Sequence, residues 1–458
     1  MSKSLFVLQN DWEVTTLAEA CNRGGGEIQT GPFGSQLHAS DYVLDGIPSI
    51  MPQNIGDNRI NEQGIARITS EDAYRLSRYL VREGDIVYSR RGDVERKALV
   101  RSHEDGWLCG TGCLRVRFGN ETSINPLYAS FYLSHPDVRK WIVQHAHGAT
   151  MPNLNTSILG ALPFVIPSAD EQHHIAHILG TLDDKIELSR QLNATLEQLA
   201  RAIFQSWFVD FDPVRAKASG ESDESICRRL GLTPELLALF PAALEDSVMG
   251  EIPVGWKINA VDELANRVAM GPFGSSIKVS TFVPEGVPVI SGQHLRTFML
   301  EDSTFNFVTE EHAQQLNKAA VQRGDIVFTH AGNIGQVALI PNNSQYDRYI
   351  LSQRQFFLRP NPLLTSGNYL TYHFSSALGQ HQLLANASSS GVPSIARPVS
   401  YLRSIKVLSP SKSILDKFDK VIAPIHSSIE TSRSEAKTLV ALRDELLPKL
   451  LSGDLRLK

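Results

Sequence analysis

The sequence predicts an α+β protein built from two tandem domains of mixed α/β structure, each followed by a long helix. The first observation behind this prediction is a duplication, because Gly-Pro-Phe-Gly-Ser occurs at 31–35 and again at 271–275, which is 240 residues later. At the same offset, Gly-Asp-Ile-Val at 84–87 recurs at 324–327. A period of this length is far beyond that of solenoid or propeller repeats, so each copy must be a whole domain with its own core.

The second observation is a long amphipathic pattern after each copy. Apolar residues step by four and three from Ile175 to Trp207, and adding 243 to these numbers reproduces the pattern from Phe418 to Leu450. Such steps form the seam of a coiled coil, and the ten positions in each helix span about five heptads. We therefore expect the two long helices to pair as an antiparallel coiled coil. Two ordinary amphipathic helices, each packed on its own domain, are the alternative.

The third observation is the order of turn and strand signals within each copy. A strand near Trp12 or Trp256 precedes the glycine-rich turn, and a proline-bounded strand and a short polar helix follow it. The predicted boundaries are 1–168 for the first domain, 169–210 for the first helix, 211–254 for a proline-containing connector, 255–409 for the second domain, and 410–458 for the second helix and the C-terminal tail.

Composition narrows the class of protein. The chain has 458 residues, of which 42% are hydrophobic and 20% charged, as expected for a soluble globular protein of two or more domains. The amino terminus has a short apolar run only, and no stretch of eighteen apolar residues occurs. These features predict a cytoplasmic protein without a signal peptide or a membrane partner.

Charge is distributed unevenly along the chain. The net charge is −5, yet residues 75–101 contain eight basic and four acidic side chains. The loop at 89–93 reads Ser-Arg-Arg-Gly-Asp, and paired arginines beside a glycine suit contacts to guanine or phosphate. The second copy reads Thr-His-Ala-Gly-Asn at 329–333, which keeps the glycine and changes its neighbours. Recognition of two different DNA sequences requires such a shared scaffold with different residues at the loop tip. The alternative interpretation of the basic run is a charged face exposed to solvent.

Three further segments carry a resemblance to a known family. They are Ser-Trp-Phe-Val-Asp-Phe-Asp-Pro-Val-Arg-Ala-Lys at 206–217, Pro-Asn-Leu-Asn-Thr-Ser at 152–157, and Leu-Pro-Lys-Leu-Leu-Ser-Gly-Asp-Leu at 447–455. With the order domain, helix, domain, helix, the chain resembles the specificity subunit of type I restriction-modification systems over its whole length.

The resemblance implies two target-recognition domains and a subunit without chemistry of its own. Such a subunit recognises a bipartite, asymmetric site in double-stranded DNA, one half per domain. It also holds two modification (methyltransferase) subunits, to which restriction (translocase and endonuclease) subunits are added. No cofactor is then expected in this chain, and S-adenosylmethionine, ATP and magnesium are expected in the partner subunits.

Polar residues in equivalent loops of the two copies are the predicted DNA contacts. They are Ser35, Gln36, Gln53, Asn54, Ser89, Arg90, Arg91, Arg96, Lys97, Thr150 and Asn153 in the first copy, and Ser275, Ser276, Gln293, His294, Thr329, His330, Asn333 and Ser390 in the second. The glycines of the turns at 31–35 and 271–275 could also present backbone amides to phosphate, although a purely structural turn explains them nearly as well.

Apolar residues beside the helical seam and at the end of the first helix are the predicted contacts to protein partners. They are Ile178, Leu192, Leu199, Trp207, Phe208, Val421 and Leu442. The seam itself contains Ser189, Asn193, Ser432 and Arg443, which is polar for two helices that stabilise only each other. A protein partner that covers the excess apolar surface is therefore expected.

Two other classes of function remain open. Asp85 followed by Glu95 and Lys97 superficially resembles a nuclease metal site, but the second copy has Gly335 and Val337 in place of Glu95 and Lys97. The sequence also has no complete methyltransferase motif. A fused nuclease or methyltransferase is thus one alternative, and a helical scaffold that binds only protein is the other. No catalytic or metal-ligating residue is predicted.

Overall fold

The computed structural model describes residues 4–8, 12–148, 151–274, 276–301, 304–388 and 391–455. Contacts divide the chain into two compact units. Unit 1 comprises Met1–Gln191 with Ser432–Lys458, and unit 2 comprises Leu192–Thr431. Each unit therefore combines one copy of the repeat with parts of both long helices.

The first copy is a mixed domain of ten strands and five helices among the described residues. Its strands are β1 (Glu13–Thr16), β2 (Glu27–Thr30), β3 (Tyr42–Val43), β4 (Ile47–Ile50), β5 (Ala66–Ile68), β6 (Ile86–Ser89), β7 (Lys97–Leu99), β8 (Leu108–Cys109), β9 (Cys113–Arg117) and β10 (Pro163–Ile166). Its helices are α1 (Leu17–Arg23), α2 (Ser70–Arg75), α3 (Pro126–Tyr132), α4 (Pro136–His145) and α5 (Thr156–Gly160).

The first long helix and the connector follow. The helix is α6 (Ala169–Phe208), which starts at a capping box in which the Glu171 amide donates to Ser168 Oγ at 3.3 Å and the Ser168 amide donates to Glu171 Oε2 at 3.2 Å. The connector forms α7 (Asp212–Ala218), α8 (Asp223–Leu230), α9 (Pro234–Leu237) and a hairpin of β11 (Leu244–Ser247) and β12 (Gly250–Pro253).

The second copy repeats the first. Its strands are β13 (Lys257–Ala260), β14 (Ala265–Met270), β15 (Val287–Ile290), β16 (Asn306–Val308), β17 (Ala320–Gln322), β18 (Ile326–Thr329), β19 (Val337–Leu339), β20 (Arg348–Leu351), β21 (Gln355–Pro360), β22 (Ala387–Ser388), β23 (Ser394–Ile395) and β24 (Lys406–Ser409). Its helices are α10 (Val261–Leu264), α11 (Glu310–Gln315), α12 (Gly367–Ser375), α13 (Ala377–Leu384) and α14 (Pro398–Ser404), followed by the second long helix α15 (Lys412–Ser452).

The sheets show how closely the copies correspond. An antiparallel sheet of order β2-β9-β6-β7 in the first copy matches β14-β21-β18-β19 in the second. A second sheet contains the parallel pair β4 and β8, matched by β15 and β20. The first strand pairs with the last in each copy, β1 with β10 and β13 with β24. The mixed α/β architecture predicted from the repeat is confirmed.

The repeated Gly-Asp-Ile-Val segment has a structural explanation. In the first copy, the buried Asp85 carboxylate accepts hydrogen bonds from the Arg117 guanidinium at 2.6 and 2.8 Å. In the second, Asp325 accepts from Arg359 at 2.6 and 2.7 Å. A buried carboxylate needs such a partner, so the acid at the start of this strand and the arginine on the neighbouring strand are kept together.

Each unit buries residues from both long helices. In unit 1, Ile175 and Leu179 of α6 share a hydrophobic core with Leu447 and Leu450 of α15. In unit 2, Ala200 and Phe204 from the other end of α6 pack with Phe418 and Ile422 from the start of α15. The start of one helix thus lies beside the end of the other in both units, which is the predicted antiparallel pairing.

None of the described helices combines the length with the apolar composition that a bilayer-spanning segment needs.

Candidate nucleic-acid interface

Three loops of the first copy converge at one edge of its main sheet. The loop after β6 is held by the Arg90 amide, which donates to Gly112 O at 2.8 Å, and by Arg90 O, which accepts from the Leu154 amide at 2.8 Å. The Gly92 amide donates to Pro152 O at 3.1 Å. Because Gly31 of the glycine-rich turn donates to Cys113 O at 3.0 Å, this turn lies at the same edge.

The second copy builds the same edge from the same backbone contacts. The His330 amide donates to Arg354 O at 2.9 Å, and His330 O accepts from the Ile395 amide at 2.8 Å. The Gly332 amide donates to Pro393 O at 2.9 Å. The loop that follows β18 therefore has the position of the loop that follows β6, as the repeat predicts.

The glycine kept at the tip of both loops is required by the backbone. Gly92 has φ 73° and Gly332 has φ 86°. A side chain is strained in this left-handed region, whereas glycine adopts it freely. The scaffold is thus fixed by the glycine and by main-chain hydrogen bonds, which leaves the neighbouring side chains free to differ.

Arginine provides the charge at the edge of the first copy. Arg90 is half-buried, its guanidinium carbon lies 5.9 Å from the ring centre of Phe33, and its Nε has no hydrogen-bond partner among the described residues. Arg91 is exposed, and its carbonyl accepts from Ser89 Oγ at 3.0 Å. The Arg90 Nε is buried, so DNA could be reached only by the outer part of its guanidinium, whereas the exposed side chain of Arg91 can bind a base edge or a phosphate oxygen.

The second copy places an arginine at this edge from a different loop. His330 occupies the position of Arg90, but burial lowers the pKa of its imidazole, so this ring is neutral at pH 7. Arg354, which corresponds to Gly112 of the first copy, is exposed, and its guanidinium lies against Gly332. The two copies thus carry a cation beside the same glycine, supplied by different loops.

Several predicted DNA contacts lie at this edge or on the loops that form it. Exposed members of the set are Ser35, Gln53, Arg91, Ser276, Gln293 and Asn333, and the half-buried members are Arg90, Asn153 and His330. Asn153 pairs with both Arg91 and His147 through its backbone, and its Oδ1 is buried without a hydrogen-bond partner among the described residues. Thr150, Ser275 and Ser390 lie outside the described residues.

Other predicted contacts are structural instead. The Asn54 amide group is buried and bonds to the Met51 amide at 3.1 Å and to Asn61 O at 3.1 Å. The buried His294 accepts from the Ser291 amide at 2.9 Å in the equivalent turn of the second copy. Both side chains cap short 3₁₀ turns, so they are not available to DNA. This prediction was wrong for both residues because their polar groups close the turn from inside.

Ser89 and Thr329, which precede the two loops, were also wrongly predicted as DNA contacts, and the Gln36 side chain has a structural role as well. Ser89 and Thr329 are buried, and Thr329 Oγ1 donates to Gln336 Oε1 at 3.0 Å. Gln36 Oε1 accepts from the Phe33 amide at 3.1 Å and from the Tyr79 hydroxyl at 3.0 Å. These side chains hold the loops and the glycine-rich turn in place.

The prediction that Lys97 contacts DNA was also wrong. Its side chain is buried in unit 1, and its ammonium donates to Asn58 Oδ1 at 2.7 Å and to Ser130 Oγ at 3.1 Å. Burial lowers the pKa of this ammonium to about 7, although Asp57 and Asp183 partly oppose the shift. Lys97 therefore lies under the sheet and does not face DNA. The half-buried Arg96 lines the adjoining cavity of about 670 Å³.

Two of the four polar seam side chains, those of Arg443 and Ser432, have hydrogen-bond partners within unit 1. Arg443 bonds to the buried Asp183 at 3.2 Å, and Asp183 is paired with Arg59 at 3.2 Å as well. Ser432 Oγ donates to Ser189 O at 3.4 Å. These two side chains therefore do not indicate a missing partner, whereas Asn193 of unit 2 has its Oδ1 buried without a hydrogen-bond partner among the described residues.

The predicted partner-binding residues divide into two groups. Trp207 and Phe208 are buried, because the connector and the second domain cover them, and the ring of Trp207 lies 5.3 Å from that of Phe240. They belong to the core of unit 2, so their assignment as a docking surface was wrong. Ile178 and Val421 are half-buried against the cores.

The leucines of the predicted set behave differently. Leu192 and Leu199 of α6 and Leu442 of α15 are exposed, with 47%, 48% and 43% of their surface accessible. Leu188, which the sequence did not single out, is 66% exposed one turn before Leu192. Residues 188, 192 and 199 lie on one face of a helix, so α6 presents an apolar stripe.

Residues for a nuclease site are not assembled. The Asp85 carboxylate is bound by Arg117, Glu95 pairs with Arg139 at 2.7 Å, and Lys97 bonds to Asn58. Across the part of the chain that the structure describes, no group of three or more His, Cys, Asp or Glu side chains is placed to hold a metal ion.

Four exposed side chains at or beside the edge were missed by the sequence analysis. They are Phe33 and Phe273 of the glycine-rich turns, Arg354, and Met151 of the loop that approaches Gly92. The repeat contained a signal for the two phenylalanines, because they are identical in both copies. The repeat contained no such signal for Arg354, since its counterpart in the first copy is Gly112.

Comparisons with known proteins agree with this geometry. A family model described as the type I restriction modification DNA specificity domain matches residues 10–198. The chain is 26% identical over 453 residues to the type I restriction enzyme HindI specificity subunit of Haemophilus influenzae, with 90% of this chain and 96% of that protein covered. It is 20% identical over 456 residues to the type I restriction enzyme MjaIX specificity subunit of Methanocaldococcus jannaschii, with 98% and 95% covered.

A solved structure shares the fold along the whole chain. The crystal structure of the type I restriction-modification system S subunit from M. genitalium matches with a TM-score of 0.55 at 16% identity and covers 97% of this chain and 98% of that one. Residues 10–198 thus match the type I restriction modification DNA specificity domain, and the chain as a whole is similar to specificity subunits of type I restriction enzymes.

Proposed function

We propose that this chain is the specificity subunit of a type I restriction-modification system and recognises a bipartite, asymmetric site in double-stranded DNA, with one half contacted by each domain. The observation that carries the proposal is the edge built twice, with the same glycine and the same backbone hydrogen bonds but different side chains at the tip. Recognition of different bases needs different donors and acceptors on a common support. Arg90 and Arg91 are the proposed readers in the first domain, and His330, Asn333 and Arg354 in the second.

Replacement of one arginine in each domain tests this assignment. Arg90→Ala should weaken binding to the specific site by about 1 to 3 kcal/mol and relax only the half read by the first domain, because a bidentate contact to one base is lost. Arg354→Ala should do the same for the other half. Equilibrium binding to a library of randomised half-sites measures both effects.

A matched control separates base contacts from phosphate contacts. Arg323 is a partly exposed arginine of the second domain whose guanidinium pairs with Asp347 at 2.9 Å, and Arg323→Ala should leave the preferred sequence unchanged. If Arg90→Ala and Arg354→Ala weaken specific and random DNA equally, the two arginines bind phosphate and the assignment as base readers fails.

We further propose that the chain is not itself an enzyme and that it holds two methyltransferase subunits, to which restriction subunits are added. The exposed leucine stripe of α6 supports a protein contact, because three leucines on one helical face leave apolar surface in water. Since the domain and helix are duplicated, we propose two equivalent docking sites. S-adenosylmethionine, ATP and magnesium would be bound by those partners.

The stripe can be tested through the mass of the complex. The full-length chain, coexpressed with the methyltransferase subunit of its own system, should give a light-scattering mass of two partners per chain. Leu192→Glu with Leu199→Glu should lower this ratio, because the charges would have to be desolvated in the interface. The control substitution must be at an exposed leucine, because Glu at a buried position such as Leu179 would destabilise the core. Leu363→Glu, in an exposed loop of the second domain, is this control. One partner per wild-type chain would contradict two equivalent sites.

A further inference from the structure

The glycine-rich turn at the candidate interface carries an exposed aromatic ring in both domains. Phe33 is 55% exposed and Phe273 is 75% exposed. Exposure of the apolar surface of a phenyl ring to water is unfavourable. Neither ring belongs to a hydrophobic core among the described residues. Packing within the fold therefore does not explain why phenylalanine occupies this position twice.

Other residues of the turn do have structural roles. A Cβ atom at Gly31 would lie 2.1 Å from Gly110 O, and one at Gly271 would lie 2.0 Å from Ser352 O, so a side chain is sterically excluded at both positions. Gly274 has φ 61°, which favours glycine as well. The turn is thus shaped by its glycines, and it presents the phenylalanine that lies between them.

Both turns are tied to the loops proposed to read bases. The guanidinium of Arg90 lies over the ring of Phe33, 5.9 Å from its centre. In the second domain, the amide of Gln353, next to Arg354, donates to the backbone carbonyls of Gly274 and Ile277. The ring of Phe33 therefore lies beside Arg90, and the turn that carries Phe273 is bonded to the residue next to Arg354.

A comparison of the copies indicates what the rings contact. The proposed readers differ between the domains, as two different half-sites require, whereas the phenylalanine is unchanged. A side chain shared by both domains must contact a feature that both half-sites share. Since a phenyl ring cannot bind a phosphate oxygen, the shared feature must be apolar, and DNA offers deoxyribose and the faces of the bases.

We propose that Phe33 and Phe273 are DNA-binding residues that pack against deoxyribose or a base face and anchor each domain independently of sequence. This inference rests on the proposed function and adds to it an apolar contact that does not depend on the DNA sequence. The arginines would choose the bases, and the rings would supply affinity for any duplex. Contact through an apolar ring is also insensitive to salt, unlike contact through arginine.

Alanine substitution in the full-length chain tests the proposal. Phe33→Ala and Phe273→Ala should each weaken binding about tenfold, because the apolar contact to deoxyribose or to a base face is lost. The loss should be equal for the specific site and for random duplex, and the dependence of affinity on salt concentration should keep its slope. Phe33→Leu, which retains an apolar side chain, should recover most of the affinity.

Controls make the outcomes distinguishable. Leu363 is as exposed as Phe273 but follows the far end of β21, so Leu363→Ala should not change DNA binding. Unchanged melting temperatures would show that the variants fold. Loss confined to one half-site, or no loss in either variant, would overturn the inference while wild-type binding to a bipartite site still stands. Absence of specific binding by the wild-type protein would instead refute the proposed function itself.

Discussion

Exchange of residues 255–409 for the corresponding domain of a related specificity subunit should replace one half of the recognised DNA sequence and leave the other half unchanged. The physical reason is that each copy has its own complete sheets and its own readers at one edge. Methylated positions in DNA modified by the chimaera measure the result. The expected change is complete for one half-site, because all of its readers are exchanged together.

The structure constrains how such a chimaera must be joined. Phe204 of α6 stacks on Tyr372 with 5.7 Å between ring centres, and Phe208 lies 5.0 Å from Tyr369. The incoming domain must therefore keep aromatic residues at these two positions, or a cavity will destabilise the core of unit 2. The reciprocal exchange of 1–168 is the control. A chimaera that alters both halves would show that the domains do not read independently.

Replacement of Lys97 by methionine should change stability strongly and DNA binding little. Burial lowers the pKa of this ammonium to about 7, against about 10.4 in an unfolded chain. Between these two values the unfolded state binds more protons than the folded state, so the wild-type protein gains stability as the pH rises. Below pH 7, the full cost of the buried charge is present.

The expected magnitude follows from the shift. Relative to Lys97→Met, the wild-type protein should gain about 2 to 3 kcal/mol in free energy of unfolding between pH 6.5 and pH 9. Denaturant titrations at both pH values measure this difference, and Lys140→Met controls for the loss of one positive charge at an exposed site. If the difference in free energy of unfolding between the two proteins does not vary with pH, the ammonium is not desolvated. If Lys97→Met loses DNA binding, Lys97 contacts DNA after all.

The second domain indicates that this substitution fits the fold. Val337 occupies the position of Lys97 on the equivalent strand, opposite Phe328 as Lys97 is opposite Tyr88. Phe298 occupies the position of Asn58, and its ring stacks on Tyr372 at 3.9 Å. The same space is thus filled by apolar side chains in one copy and by a polar network in the other, so the fold itself does not require the lysine.

The duplication made the architecture predictable from the sequence. The repeat predicted two equivalent domains, and the seam predicted two long helices that pair antiparallel, because both depend on patterns spread over many residues. The shared glycine at positions 92 and 332 was predictable for the same reason, since a left-handed backbone accepts few other residues.

Individual site residues were harder to predict because exposure depends on tertiary contacts. Asn54 and His294 are polar and lie in loops, yet their side chains turn inward to cap 3₁₀ turns. Trp207 lies on the apolar face of a helix, but whether a partner or the connector covers it cannot be read from the helix alone. Arg354 compensates for a histidine that lies 24 residues earlier in the sequence, and only the strand pairing brings the two together.

Single-molecule sequencing of DNA from cells with and without this gene tests the central claim most directly. The proposed function predicts methylation that depends on the gene and occurs at one bipartite motif with two different specific halves separated by unspecified bases. In cells that carry Arg90→Ala, one half of that motif should become degenerate while the other remains. A motif that is continuous or palindromic, or methylation unaffected by loss of the gene, would contradict recognition of one half-site by each domain.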